Sequence, residues 1–332
     1  MVLARCRPSL LRTVGSLHSN RAAMATEIDV RRSCVKCPEP GIYHGLDAKK
    51  AVYCKPCFVT MVKHKFSSTI GKKRIFKGDA AKETLVVYEG DISSAFMLWL
   101  IEQSTAMDAH KKLQLQPVIL VLLTQSDETK IQEYVSQVEN IRDILKTDWY
   151  FVHVSTIRME QALHIIQIEY SRIEFERLSR TAVCLRTASA LNINKVMFGD
   201  DADTLSKESL NALCLGRGSS LGDIAGVIDK RHPMSRSFDL SAMLAAWKSA
   251  PSVGCTKTIT LFLRTMNPPS KRAIQPLSEG LITDLQSNGF KSTITTILSV
   301  ASKVKALHPG EQKCSLCFTF YSLEEEETIN FG

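Results

Sequence analysis

No stretch of this 332-residue chain is apolar for long enough to cross a bilayer as a helix, which excludes an α-helical membrane span. Acidic residues are missing from two further places. None occurs between Ala48 and Gly78, a window that holds Lys49, Lys50, Lys55, Lys63, Lys65, Lys72, Lys73, Arg74 and Lys77. None precedes Glu27, where Arg5, Arg7, Arg12 and Arg21 stand among Ser, Leu and Ala. The basic window carries nine cations against a net charge of +8 for the whole chain, so the excess is concentrated there. Such a block is the electrostatic footprint of a polyanion partner such as RNA. The alternative is a solvated lysine-rich face. The interleaved Phe58 and Phe66 and a neighbouring cysteine module favour nucleic acid, with Lys63, Lys65, Lys72, Lys73, Arg74 and Lys77 as the contact residues. The Arg-rich leader reads either as a mitochondrial transit peptide or as an upstream extension before a second start at Met24. The protein is expected in the cytoplasm, or in mitochondria if the leader is translated.

Ten cysteines without a secretory context fit a reducing compartment. Four of them form two C-x-x-C pairs, Cys34/Cys37 and Cys54/Cys57, separated by sixteen residues. Two loop-borne thiolate pairs at that spacing can close tetrahedrally on one zinc ion. Pro38, Pro40, Gly41 and Gly45 follow the first pair and Pro56 lies inside the second, as turns that aim sulfurs at one ion require. Four protein ligands leave no open position, so the expected zinc is structural. Cys184, Cys214 and Cys255 are single and read as small core residues.

Beyond the basic block the pattern alternates. Strand-like runs at Thr84–Tyr88, Pro117–Leu123, Tyr150–Val154 and Lys195–Phe198 are separated by helical patterns. These include Ala95–Ile101, Glu128–Leu145 with apolar Ile131, Val135, Val138 and Ile141, and Met159–Leu191. The alternation predicts an α/β fold, a parallel sheet with helices on both faces. Ligands in such sheets bind beyond the carboxyl ends of the strands, which singles out the loops Glu89–Ser94 and Gly199–Thr204. His153, Met97 and Trp99 read as core.

At those loops the chain resembles the PP-loop ATP pyrophosphatases, and within them the cytoplasmic tRNA 2-thiolation protein 2 family. The resemblance rests on the Cys34/Cys37/Cys54/Cys57 module, His64-Lys-Phe66 with Gly71-Lys72, the Glu89–Ser94 loop, Phe198-Gly-Asp200, Gly216-Arg-Gly218 and Cys314-Ser-Leu-Cys317. It covers most of the chain from about Ser33, and it is patchy after Pro233. Active PP-loop enzymes read Ser-Gly-Gly-x-Asp-Ser where this chain has Glu89-Gly90-Asp91-Ile92-Ser93-Ser94. Only Gly90 and Ser94 keep their type. Glu89 and Asp91 would face a polyphosphate, each like-charge pair costing about 4 kcal/mol at 4 Å and an effective dielectric of 20. The second family motif, Gly-His-x-x-Asp-Asp, reads Gly199-Asp200-Asp201-Ala202-Asp203-Thr204 and has lost its histidine. Asp200 and Asp203 are either solvated acids or recruits for Mg²⁺. Active thiolating relatives carry a cysteine pair before the helix that precedes this loop, and Ser155–Ala182 holds none. The family closes a C-terminal zinc site with a second pair. Here nothing after Phe318 supplies one, so Cys314/Cys317 is the weaker metal candidate.

The resemblance implies a non-catalytic, tRNA-binding subunit of a heterodimer that 2-thiolates wobble uridine U34 of tRNA Lys, Glu and Gln. An active PP-loop homologue would be the partner, and sulfur would arrive from a thiocarboxylated ubiquitin-related modifier. ATP is not expected to bind productively. Two other readings stay open: a self-sufficient, Mg-dependent tRNA-modifying ATP pyrophosphatase, and a zinc-dependent protein-interaction adaptor. The expected organisation is a leader over 1–26, a zinc module over 33–66, a basic linker over 67–82, the α/β domain over 83–306 and a Cys-pair tail with acidic end over 307–332.

Overall fold

The computed structural model describes residues 32–44, 51–73, 75–76, 82–106, 113–123, 127–142, 145–153, 169–229, 235–237, 274–290, 292–305, 312–313 and 320–321. The N-terminal module opens with a short hairpin, β1 (Tyr43–His44) against β2 (Val52–Tyr53), antiparallel with Tyr43 opposite Tyr53. Helix α1 (Lys55–Lys72) follows at once. It presents Phe58, Val62, Phe66 and Ile70 as one buried stripe at four-residue spacing.

The α/β body then runs β3 (Glu83–Tyr88), α2 (Ile92–Thr105), β4 (Gln116–Leu123), α3 (Glu128–Arg142), β5 (Trp149–His153), α4 (Glu169–Ala190), β6 (Val196–Phe198), α5 (Ala202–Cys214), α6 (Leu221–Ile224) and β7 (Ser235–Ser237). Helices α7 (Ile274–Ser287) and α8 (Thr293–Ala301) pack on α5, and a two-residue pair, β8 (Gln312–Lys313) with β9 (Phe320–Tyr321), closes the order. The five strands stand in the order β5-β4-β3-β6-β7, all parallel. This is a doubly wound sheet whose switch point falls between β3 and β6.

Strand β3 lies at the centre. Its alternation divides two cores, because successive side chains of a strand point to opposite faces. Val86 and Tyr88, with Ile119, Val121 and Leu123 of β4, meet α1, α2 and α3 on one face. Leu85 and Val87, with Leu120, Leu122 and Val196, meet Cys184 and Ala188 of α4 on the other. Helix α2 is buried nearly all round, as its run Ala-Phe-Met-Leu-Trp-Leu-Ile demands.

The four expected strands are present, each within about one residue of its expected bounds. Strand β7 was not foreseen, because Ser-Arg-Ser carries no apolar signal and gains its place only by pairing with β6. The expected basic linker over 67–82 begins inside α1, and Phe66 and Ile70 lie in the same core as β3. His153 is exposed at the end of β5 rather than in the core, and Cys214 is exposed at the last turn of α5. Met97, Trp99 and Cys184 are buried as expected. Cys255 lies outside the described residues.

Candidate functional site

A candidate metal centre is built by the turn after Cys34 and by the start of α1. Cys34 N–H donates to the Glu39 carbonyl at 2.8 Å, folding the first pair back on itself, and Lys36 N–H points at Cys34 Sγ at 3.4 Å. Gly41 is needed there. A Cβ on it would stand 2.7 Å from Val52 Cγ1 and 3.0 Å from the Arg32 carbonyl. The second pair sits at the start of α1, with Cys54 as its N-cap and Pro56 in the first turn, where a missing N–H costs nothing. All four Sγ atoms lie within 4.8 Å of one another, Cys37 being 3.4 Å from Cys54 and 3.7 Å from Cys57. Four thiolates about 2.3 Å from one zinc would stand about 3.8 Å apart. The cluster therefore fits a mononuclear tetrahedral ion, whereas the thiolates of a four-iron cluster each bind a separate iron and stand farther apart. Burial would raise the Cys34 thiol, but backbone N–H groups of Cys54, Lys36 and Cys37 outweigh it and lower it to about 6. The hydrogen bond with Cys54, then burial, push Cys57 up to about 12. A dication among them would let all four ionise.

The basic face is carried by α1. Lys65, Lys72 and Lys73 are exposed opposite its buried stripe. Lys63 is turned to another use: its Nζ donates to Gln103 Oε1 at 2.5 Å and lies 5.3 Å from the Trp99 ring centre, latching α1 to α2. Phe58 and Phe66, taken from the sequence as aromatics interleaved with the charges, are core residues that face away from solvent. Arg74, Lys77, Cys314 and Cys317 lie outside the described residues.

The two loops at the switch point meet as expected. Gly90 has φ +77°, and a Cβ there would lie 2.6 Å from Tyr134 Oη, so conformation and space both require glycine. Gly199 is pressed onto the other side, its virtual Cβ 2.7 Å from Ser94 Cα. Asp91 is the N-cap of α2, and its Oδ1 accepts the Ser94 N–H at 2.8 Å. Ser94 Oγ donates to the same carboxylate and lies 3.3 Å from the Glu89 N–H. The end of a helix that offers bare N–H groups to an anion is here capped by the chain's own carboxylate. Asp201 repeats the arrangement on α5, accepting the Thr204 N–H at 2.8 Å, with Ser93 Oγ 3.4 Å from its Oδ2. Asp203 sits in the first turn of α5. Burial, then Glu208, Glu89 and Asp91, drive the Asp200 carboxyl well above its ordinary range, with Arg177 opposing. Asp201 and Tyr134 were not singled out from the sequence. The shared spacing Asp91-x-x-Ser94 and Asp201-x-x-Thr204 is the capping signal that finds the first. No local signal finds the second.

No protein-family model matches the chain. The chain is 30% identical over 310 residues to cytoplasmic tRNA 2-thiolation protein 2 of Caenorhabditis briggsae, covering 86% of this chain and 89% of that protein. It belongs to the cytoplasmic tRNA 2-thiolation protein 2 family. The Caenorhabditis elegans protein of the same name is 28% identical over 310 residues, with the same coverage. Among solved structures, the U34-tRNA thiolase NcsA of Methanococcus maripaludis with its [4Fe-4S] cluster aligns at a TM-score of 0.61. That alignment covers 87% of this chain and 92% of NcsA at 13% identity, and it shows the PP-loop thiolase fold.

Proposed function

We propose that this chain is the non-catalytic, tRNA-binding subunit of a complex that 2-thiolates wobble uridine, U34 of tRNA Lys, Glu and Gln. An active PP-loop homologue performs the adenylation, and sulfur comes from a thiocarboxylated ubiquitin-related modifier. The observation that carries the non-catalytic reading is Asp91, whose carboxylate holds the Ser94 N–H at the start of α2. Phosphate entering there would have to displace it and face Glu89 as well. Positioning and charge stabilisation are most of what such a fold contributes to phosphate chemistry, and both are opposed here. Family membership and the exposed lysines of α1 support tRNA as the ligand. Cys34, Cys37, Cys54 and Cys57 hold a structural zinc in this reading, and the protein works in the cytoplasm. The module over 33–66 and the α/β domain over 83–306 act as one folded unit, joined through α1.

The second reading, a self-sufficient Mg-dependent ATP pyrophosphatase, would need a cation beside Asp200, whereas among the described residues only Cys34, Cys37, Cys54 and Cys57 converge closely enough to hold an ion. Pyrophosphate release by the purified chain, with and without Mg²⁺, separates the two. None is expected, and Ser94→Ala should leave tRNA thiolation by the reconstituted pair nearly intact. Release that disappears in Ser94→Ala would overturn the non-catalytic reading.

A further inference from the structure

At the switch point Ser94 is gripped by both loops. From its own loop, Asp91 Oδ1 accepts the Ser94 N–H at 2.8 Å and the Ser94 hydroxyl donates to the same carboxylate. The Glu89 N–H donates in turn to Ser94 Oγ at 3.3 Å. From the second loop, Gly199 roofs the residue, since a Cβ on it would stand 2.7 Å from Ser94 Cα and 2.9 Å from Ser94 N. Ser93 Oγ, 3.4 Å from Asp201 Oδ2, ties the loops once more. Tyr134 of α3 covers the remaining glycine, its Oη 2.6 Å from where a Cβ on Gly90 would stand. Burial, with Tyr134 and Asp91 adding to it, pushes the Tyr88 hydroxyl up, so these three side chains share one neighbourhood.

An N-cap aspartate gives a helix what a bound phosphate gives it. Both place an anionic oxygen on a first-turn N–H and negative charge at the positive end of the helix dipole. The backbone around Ser94 keeps features suited to close approach, with Gly90 at φ +77° and Gly199 pressed against the helix start. The anion present is the chain's own. A loop that awaits a ligand gains order when the ligand arrives, whereas here the ordering contacts are covalently attached and permanent.

We propose that the Asp91 carboxylate is a built-in stand-in for phosphate, which locks the two switch-point loops together without a nucleotide. The proposal rests on the non-catalytic reading and deepens it: this subunit keeps one loop conformation at any ATP level, and the nucleotide response of the complex belongs to the partner. The test follows Tm of the full-length chain against inorganic pyrophosphate at constant ionic strength. The parent should shift by less than about 1 °C at millimolar pyrophosphate. Glu89→Ser with Asp91→Gly removes both carboxylates and should lose only about 1–2 °C, because glycine is itself a tolerated N-cap. Pyrophosphate should then raise that variant's Tm saturably, by about 5 °C at a hundredfold excess over its Kd. Glu89→Ser with Asp91→Asn is the deciding arm. It carries the same charge but keeps a side-chain oxygen for the Ser94 N–H, so it should respond as little as the parent. Equal stabilisation of the Asn and Gly variants would show that charge alone excludes the anion, and the stand-in falls. A folded Gly variant that pyrophosphate leaves unchanged, or a parent that it stabilises, overturns the proposal too. A measurement on the parent alone completes the test: the Ser94 amide should exchange with solvent at least about tenfold more slowly than an unstructured amide, equally with and without ATP. Fast exchange that ATP slows would refute the lock. Failure of the non-catalytic reading looks different, since it is pyrophosphate release from ATP by the parent. With no release and an unresponsive Gly variant, that reading stands and the lock falls.

Discussion

Phe66 separates two accounts of helix α1. In the sequence it lies among Lys63, His64 and Lys65, as a base-stacking aromatic of an RNA-binding segment would. In the fold it is 1% exposed and packs in the core shared by α1, α2, β3 and β4. Phe66→Ala would remove a fully buried ring and leave a cavity between α1 and the sheet. The cost expected for such a change is about 3–5 kcal/mol. Against a total stability of about 5–15 kcal/mol, that is a large fraction. With a denaturant slope of about 1–3 kcal/mol per molar urea, the unfolding midpoint should fall by at least about 1 M. Phe66→Leu, which is easier to keep folded, supplies the second arm. It keeps most of the volume, should cost less than about 1.5 kcal/mol, and has no ring. If Phe66 stacked on a base, losing the ring would cost about 1–3 kcal/mol of RNA affinity. The structure predicts unchanged tRNA affinity in Phe66→Leu. A midpoint shift under about 0.3 M for Phe66→Ala, or a tenfold loss of tRNA binding for Phe66→Leu, would refute the placement of α1.

Three further outcomes are expected. Purified protein should hold about one zinc per chain, and Cys54→Ser should lower zinc content and loosen the hairpin against α1; metal analysis finding none would end the assignment. Charge reversal at Lys65, Lys72 and Lys73 should weaken tRNA binding and flatten its logarithmic salt dependence by about 2–3, while Lys63→Met should leave the slope alone because Lys63 is spent on Gln103 and Trp99. Asp200→Asn should raise Tm at neutral pH. A carboxyl whose folded-state value lies above its ordinary one opposes folding once the pH exceeds the unfolded value of about 3.9, so the gain should vanish below about pH 4. A lower neutral Tm in that variant, deepest in Mg²⁺, would mean instead that a cation uses the carboxylate.

The sequence by itself determined the elements whose signal is local. Cysteine spacing marked the four-sulfur cluster, because each C-x-x-C pair brings two sulfurs to one side of the chain and a tetrahedral ion would need two such pairs. The β-branched runs at Thr84–Tyr88 and Pro117–Leu123 could only be strands buried on both faces, so the parallel sheet and its two switch-point loops followed. The presence of Glu89 and Asp91 where the resembled family's motif has no carboxylate was also readable in one dimension. Only the tertiary structure decided which way side chains point and what distant segments meet. It turned Lys63 onto Trp99, put Phe58 and Phe66 inside, and made Asp91 the cap of α2. It laid Tyr134 over Gly90 and joined Glu174, Arg177 and Arg217 across forty-three residues from Glu174 to Arg217. Strand β7 belongs here too, since Ser235–Ser237 becomes a strand only by hydrogen-bonding to β6. Local propensity acts over a turn or a strand, whereas these contacts exist only after loop closure has brought separate elements together.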